Sequence, residues 1–534
     1  MNIKILIIAA GIVTNITATG APAVAAKDII PERELLITKK EVIESEHARY
    51  PGVWSFGTLI EELAGKDKAA AVVREWLETM AAPEMVLQQR VEPRPRFREL
   101  VLEPWQKKDG YDANSCDAWV PRLENAPFRL LAIVNRMDLA APTIAKIEEQ
   151  EHQRWKASGW GDLFEQLRSA ASSGELLKLR PPVIRTSGVP IRIGLCGMAM
   201  QGFGLPVVTN AGTRNRRVAA GFGGGWAGGG GGSGPFVGEG RLVFCATDSA
   251  GVPLPGGWTV IFEYRLPVLA LQVLPAGVKA SDNSDRNLAA VWAGRWHALA
   301  NNDVDEKKFR DGLAEVTTSF THRRIGGGQP ELAQLRSNDG ACGPGREFRQ
   351  FEIKDGRFVS VGLPGTPAVE FMNPRNKHVR ELAAFLNQQT PLLTAGLGGL
   401  PEKLAVRGDA IPLRAAVAVI PEKKEDFFWD FGPVVPADTR RLLSMNSCNG
   451  CHAGETGCEG GMHIRPRTEG SESALSTWLR EDMAHRDPAM KNASVHFKEM
   501  EDRRAILAAL LNPKEARVLA DIRETLRKRL RRGH

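Results

Sequence analysis

Residues 446–467 read NSCNGCHAGETGCEGGMHIRPR and gather three of the chain's 7 cysteines and two of its 10 histidines. Cys448, Cys451 and His452 form C-x-x-C-H, the spacing that attaches haem covalently. Two thiols separated by two residues on a helical turn can add to the two vinyl groups of a haem. The next residue then presents its imidazole to the iron from the same side. Cysteine and histidine are both scarce here, so chance would produce this pattern on the order of once in several hundred such chains.

The opposite side of the iron has two candidates. Met462 and His463 follow His452 by 10 and 11 positions. An extended segment of that length spans roughly 30 Å, enough to round a haem edge. The glycines at 454, 457, 460 and 461 permit the bend. His463 is the expected sixth ligand and Met462 the alternative. Two histidines would hold the iron at a lower potential than a histidine and a methionine. An open sixth position would permit peroxide chemistry instead.

Two other chemistries use the same residues. Cys448, Cys451, Cys458 and His463 make C-x2-C-x6-C-x4-H, a Cys3His set suited to tetrahedral zinc. That set gives Cys458 a role which haem does not. Alternatively, Cys448 or Cys451 bonded to Cys458 would staple a loop.

The beginning of the chain bears on this choice. Lys4 precedes an apolar run from Ile5 to Val13, and Ala23 and Ala25 fit a small-x-small cleavage site. This predicts a signal peptide over residues 1–26 and a periplasmic or secreted product. The run is too short to span a bilayer as a helix, and no later segment offers a transmembrane stretch. Haem attachment through thioethers takes place outside the cytoplasm, which agrees with export. An oxidising compartment would also let Cys116, Cys196, Cys245 and Cys342 pair, although an odd total leaves one thiol over.

The motif resembles that of c-type cytochromes, in which a helix ends in CxxCH and apolar helices wall in the macrocycle. The resemblance covers little beyond residues 436–467. It implies one covalent haem c anchored by Cys448 and Cys451, with His452 as proximal ligand. Small cytochromes place a distal methionine some tens of residues later, where Met490 and Met500 stand, yet neither lies in a loop of that kind. "FRLLAIVNRMDL", "GWTVIFEY" and "CNGCHAGET…HIRPR" also look like segments of a group of large exported bacterial proteins. That similarity implies an α+β body with a C-terminal CxxCH segment and supplies no activity.

Elements must position these residues. Apolar spacing predicts helices across 27–100, with Leu59, Leu63, Val72, Val73, Trp76 and Leu77 on buried faces. Residues 101–375 alternate Val/Ile/Phe-rich runs with Gly/Pro turns, predicting a mostly antiparallel sheet with added helices. "FRLLAIVNRMDL", "RLVFCA" and "GWTVIFEYRL" read as strands, the last covered on both sides. Trp292 and Trp296 lie one turn apart on a helix; with His297 they would pass electrons if beside the haem, and otherwise pack a core. Residues 376–534 are expected to form a small all-α cytochrome-like segment around 448–452, with helices over 436–446, 473–482 and 499–511.

Other patterns carry weaker chemistry. The stretch at 221–240 contains a formal GxGxxG at Gly223, Gly225 and Gly228, but so glycine-rich a run satisfies almost any glycine pattern and reads as a loop. Asn135, Arg136 and Asp138 faintly resemble a guanine-binding NKxD and read as a polar turn at a strand end. Asp109, Asp112, Asn114 and Asp117 lack the EF-hand register and also read as a turn. Glu61/Glu62 and Glu425/Asp426 sit in charged stretches. The net charge is +7, part of it from Arg523, Arg527, Lys528, Arg529, Arg531 and Arg532. This tail reads as the solvated face of a last helix, and nothing in the sequence asks for nucleic acid. No GxSxG or HExxH motif occurs. Three classes therefore stand: a monohaem electron-transfer protein with a redox partner protein, a peroxidase- or oxidase-type haem enzyme whose body holds substrate, and a non-catalytic protein with a zinc- or disulfide-stapled loop.

Overall fold

The computed structural model describes residues 24–112, 114, 118–137, 236–267, 284–300, 305–323, 330, 332–373, 376, 378–394, 400–406, 409–421, 427–480, 484–486, 488–489, 494–497 and 499–511, together with the backbone of 183–186, 189–194 and 207–208. Residues 1–23, Cys116, Asp117, Asp138, Cys196, the glycine-rich run to 235, Glu425, Asp426, Met490 and the basic tail lie outside these.

An antiparallel meander organises the chain. Strands β1 (Leu36–Ile37), β2 (Phe128–Met137), β3 (Phe236–Ala246), β4 (Trp258–Pro267), β5 (Leu332–Asp339), β6 (Arg346–Lys354) and β7 (Arg357–Val361) pair in chain order. β8 (Ala418–Ile420) pairs with residues 346–348 of β6, and β7 takes residues 350–354. The α+β expectation therefore holds.

The register sorts side chains onto two chemically different faces. In β4, Trp258, Val260, Phe262 and Tyr264 alternate on one face and are fully buried. Helices cover that face: α1 (Phe56–Ala64), α2 (Lys66–Ala81), α3 (Ser284–Ala298) and α4 (Glu306–Thr321). Phe56 meets Phe262 with ring centres 5.7 Å apart, Trp76 meets Trp258 at 6.1 Å, and Phe320 meets Tyr264 at 5.9 Å. Trp292 packs on Phe320 and, like Trp296, is fully buried, so this pair belongs to the helix-side core. His297 pairs with the buried carboxylate of Glu34, Nδ1 to Oε2 at 2.9 Å.

The other face carries Arg241 opposite Glu263, Val243 opposite Ile261, and Arg336 opposite Ile261 on its far side. Asn338 stands opposite Thr259 and Phe348. This mixed polar and apolar face turns toward the cysteine-rich segment.

That segment rests on a second core. Helices α5 (Val379–Thr394) and α6 (Ala437–Asn446) join Phe348, Leu363, Leu413 and Trp429. A one-turn helix α7 (Cys448–Cys451) follows α6 directly. α8 (Glu499–Leu511) returns to the first core through Leu507 and Leu510.

Four expectations change. Residues 376–511 mix helix with short strand pairs such as Lys403–Val406 with Asp409–Pro412, where the sequence reading placed helices only. Residues 473–482 are not a helix: Ile464 bridges Leu475, Ser476 N donates to His463 O at 2.9 Å, and only residues 477–479 turn. The serines there bond across the structure, which competes with helix formation. Within the expected helical region, Glu84–Val86 and Gln89–Val91 form a hairpin, with Leu87 and Gln88 at φ of 49° and 64°. Asn135 and Arg136 lie inside β2, because β3 extends the pairing to Met137; Asn135 Nδ2 donates to Glu34 O at 2.9 Å.

Several charged groups settle into structural roles. Asp109 accepts from Trp119 Nε1, Arg122 N and Asn125 Nδ2 at 2.9–3.0 Å, which builds the turn expected there. Asp112 Oδ1 accepts from Asn114 N. Glu61 accepts from the Tyr50 hydroxyl and Glu62 from Arg323 N.

Candidate functional site

The CxxCH turn is held from several sides. Ser447 caps α7: its Oγ accepts from Gly450 N at 3.3 Å and from Trp429 Nε1 at 2.8 Å. Trp429 Nε1 also reaches Asn449 Oδ1 at 3.2 Å, and Cys448 N donates to Thr366 Oγ1 at 2.8 Å. A Cβ on Gly450 would sit 2.2 Å from Ser444 O, so the residue before the second cysteine has no room for a side chain. Downstream, the buried Glu455 takes both Arg440 and Arg441 of α6 as ion-pair partners. His485 Nε2 contacts Gly454 O.

His452 is oriented by a backbone carbonyl. Its Nδ1 lies 3.1 Å from Gly461 O, which can only accept, so the contact places the ring proton on Nδ1. Asn338 Nδ2 donates to the same carbonyl at 2.8 Å. Gly461 holds φ +68°, and a Cβ there would strike Arg346 Cδ at 2.3 Å. Nε2 of His452 is thereby left as the donor to a metal. Burial depresses this imidazole to about 4, with Arg346, Arg336 and Arg241 adding repulsion, so the ring is neutral near pH 7.

His463 carries a parallel restraint. Its Nδ1 meets Ser476 Oγ at 2.9 Å, and its Nε2 lies 3.5 Å from Cys451 Sγ. Burial holds its pKa well below the usual histidine range, with His452 adding to this. The two imidazole centres are 4.5 Å apart, and His463 also packs at 4.5 Å on Trp478. Met462 takes a different course: a Cβ built on Gly257 would lie 3.0 Å from its Sδ and 2.3 Å from its Cε, so the thioether packs against that glycine. Met500 is buried in the first core.

Described cysteines are all free thiols: Cys245, Cys342, Cys448, Cys451 and Cys458. Burial pushes Cys245 up to about 11 and Cys451 up to about 12, and raises Cys342 and Cys458 as well. Cys458 Sγ lies 3.5 Å from His463 Nδ1. His452, Cys458 and His463 offer ligand atoms within 4.8 Å of one another. The structure thus groups His452 with two members of the zinc set read from the sequence, and neither Cys448 nor Cys451 is part of that group.

A cleft opens between this segment and the mixed face of the sheet. Cys448, His452, Met462, His463 and Trp478 line it on one side, and Arg241, Ile261, Arg336 and Phe348 on the other. Its cavity volume is about 110 Å³. That is smaller than the roughly 300–1,000 Å³ of ordinary ligand pockets, so a macrocycle would need the cleft to widen. Phe348 stacks at 5.0 Å on His452.

Cys448, Cys451 and His452 are the residue types that would hold a covalent haem, and they follow one another on and just after one helical turn. The two thiols sit on one helical turn, a neutral imidazole with its Nδ1 pinned follows, and the cleft beside them is lined by both apolar side chains and arginines. Metal–imidazole bonds are about 2 Å, so trans ligation by both histidines needs about 4 Å between the bonded nitrogens and more between ring centres. The 4.5 Å ring separation is shorter than that, so holding one metal between both histidines in trans would require a wider spacing than the structure shows. Positive φ at Gly457 and Gly460, 61° and 58°, gives that segment its bends.

Glu455, Ser476, Asn338 and Trp429 were not singled out by the sequence. Glu455 falls three residues after His452, and the Arg440–Arg441 pair within an apolar helix signals buried carboxylate partners. The others act across long sequence separations and leave no local pattern. Comparison with protein-family models, curated proteins and solved structures finds no match for the chain.

Proposed function

We propose that this chain is an exported, monohaem c-type electron-transfer protein with bis-histidine ligation. The observation that carries the reading is the matched restraint on two facing imidazoles beside a CxxC turn. Gly461 O occupies Nδ1 of His452, and Ser476 Oγ occupies Nδ1 of His463. His452 therefore keeps Nε2 for metal, and His463 faces it with Nδ1 near Ser476 Oγ and Cys458 Sγ and Nε2 toward Cys451 Sγ. Cys448 and Cys451 are the anchors. Each thiol adds across one vinyl group: a sulfur–carbon bond forms, the thiol hydrogen passes to the neighbouring vinyl carbon, and no electron leaves. Bound haem supplies the Fe(II)/Fe(III) couple. The chain's residues orient the two ligands, exclude water from one side, and set the surrounding charge.

Six-coordinate iron favours a carrier over a peroxidase, because no position is open for peroxide. The partner would be another redox protein. Among the described residues no helix is long and apolar enough to cross a membrane. A periplasmic or secreted location rests on the signal-like start.

Full-length protein made with the haem-attachment machinery should stain for covalent haem and give a low-spin ferric spectrum. Cys451→Ser should abolish the two-thioether pyridine haemochrome. High-spin iron with peroxide turnover would favour the enzyme. The His452–Cys458–His463 group supports a second reading, a soft divalent ion bound in place of haem. A colourless protein with stoichiometric zinc would establish that reading and overturn the first.

A further inference from the structure

Haem attachment gives Cys458 no role, yet the loop after CNGCH brings this thiol back against both histidines. Gly457 turns the chain there at φ +61°, a left-handed conformation that costs glycine little. A Cβ on it would lie 2.6 Å from Thr477 Oγ1 and 2.8 Å from His485 Nδ1, so no other residue fits. Gly461 N then donates to Cys458 O at 3.0 Å and closes the loop. Cys458 ends 6% exposed, between two half-buried imidazoles.

The spacing of these donors is that of neighbouring ligands on one small ion. Cys458 Sγ stands 3.5 Å from His463 Nδ1. With metal–sulfur bonds of about 2.3 Å and metal–imidazole bonds of about 2 Å, adjacent ligand atoms on a tetrahedral ion lie about 3.5 Å apart. The ring centres of His452 and His463, 4.5 Å apart, are too close for opposite positions and suit adjacent ones. All three residues offer ligand atoms within 4.8 Å of one another. The described residues hold one other such trio, Glu46, His47 and Asp311, but it is more exposed and Asp311 already pairs with Lys307 at 2.6 Å. Outer partners also suit the buried trio. Gly461 O fixes Nδ1 of His452, and Cys451 Sγ, 3.5 Å from Nε2 of His463, accepts from that nitrogen when it carries the proton.

We propose that His452, Cys458 and His463 bind one divalent ion of the zinc class in the haem-free chain, with Cys448 and Cys451 outside the coordination sphere, and that ion and haem exclude one another because both need His452. The exclusion rests on the haem reading; the ion site does not. Binding forms one metal–sulfur and two metal–nitrogen bonds, and the Cys458 thiol gives its proton to solvent. Ser476 Oγ, 2.9 Å from Nδ1 of His463, gives way to the ion. A fourth tetrahedral position faces the cleft and takes water, since His452 and His463 line the cleft and Cys458 lies behind them. The ion would thus occupy the histidines while both CxxC sulfurs stay free for thioether formation.

The test uses the full chain made without the haem-attachment machinery, stripped of metal and kept reduced. Titration with Co(II) should give one ion per chain, with a thiolate-to-cobalt charge-transfer band and tetrahedral visible bands, both displaced by Zn(II). Cys458→Ser and His463→Gln should weaken cobalt binding by more than about a hundredfold, the upper end of what a lost outer partner costs. Cys448→Ser should bind as wild type does. A wild-type chain that takes up no cobalt, or takes it up without the thiolate band, overturns the site, and so does loss of binding in Cys448→Ser with Cys458→Ser unaffected. X-ray absorption of the zinc-loaded wild type decides without any variant: one sulfur and two imidazoles support the site, whereas three sulfurs or none overturn it. Holoprotein made with the machinery should take up no cobalt at this site, and a thiolate band there overturns the exclusion. A chain that binds cobalt as expected but never stains for haem overturns the haem reading alone.

Discussion

Glu455 has no solvent exposure, and its two oxygens serve Arg440 and Arg441, which are themselves buried. Removing one partner of such a cluster leaves buried charge uncompensated. Glu455→Ala should therefore lose about 3–5 kcal/mol of stability, read by urea unfolding, and should loosen the loop that follows CNGCH. His297 gives a pH-dependent case. Its hydrogen bond to Glu34 raises the imidazole pKa in the folded chain, outweighing partial burial. A raised folded pKa means the pair stabilises fully below the unfolded value of about 6.5, and that contribution is lost as pH rises through the folded pKa. Wild type minus His297→Gln, measured by denaturation across pH 5–9, should show a difference that shrinks with rising pH. At this scale residue type and spacing singled out Cys448, Cys451, His452 and His463, and the structure brings them into one neighbourhood. Ser476, Asn338 and Glu455 were not readable, because a serine, an asparagine or a glutamate declares its role only through a distant partner.

Among the elements, α7 is the most constrained. Gly450→Ala places a methyl 2.2 Å from Ser444 O, so α6 and α7 must separate. The expected result is a loss of about 1–3 kcal/mol together with weaker haem staining, since the two thiols no longer share one regular turn. Strands β2, β3 and β4 were legible because their apolar runs are long and bounded by turns. Helix α6 was legible from Pro436 and the leucines after it. The 473–482 stretch misled because Leu475, Trp478 and Leu479 mimic helical spacing. In the structure Leu475 bridges Ile464, while the intervening serines bond to β2 and to His463. The two faces of the sheet were half legible. Alternation in β4 marked the core face, whereas the ionic face emerges only from cross-strand register.

At the scale of the molecule, charge and cofactor meet. If the chain binds haem as proposed, two histidines would hold the iron at a low potential, and the arginines beside the cleft would oppose this by favouring the reduced, less positive iron. Arg346→Gln removes one of these charges and should lower the midpoint potential by tens of millivolts, on the order of a unit charge about 10 Å away at an effective dielectric of about 20. Protein-film voltammetry measures this directly. A rise in midpoint would show that the field at the iron is set elsewhere.

The first core also joins the two ends of the described chain, since Ile29 and Leu507 belong to one apolar cluster. A polypeptide made from its N-terminus presents the whole meander before CNGCH, yet cannot shut the cleft until residues 499–511 arrive. The order of assembly is thereby set. For an interval the cysteines are displayed beside an unfinished pocket, and covalent haem attachment, if the proposal holds, would fall within it. Once α8 docks, Cys448 and Cys451 are half-buried, and a partner adding to both sulfurs would have less room to reach them.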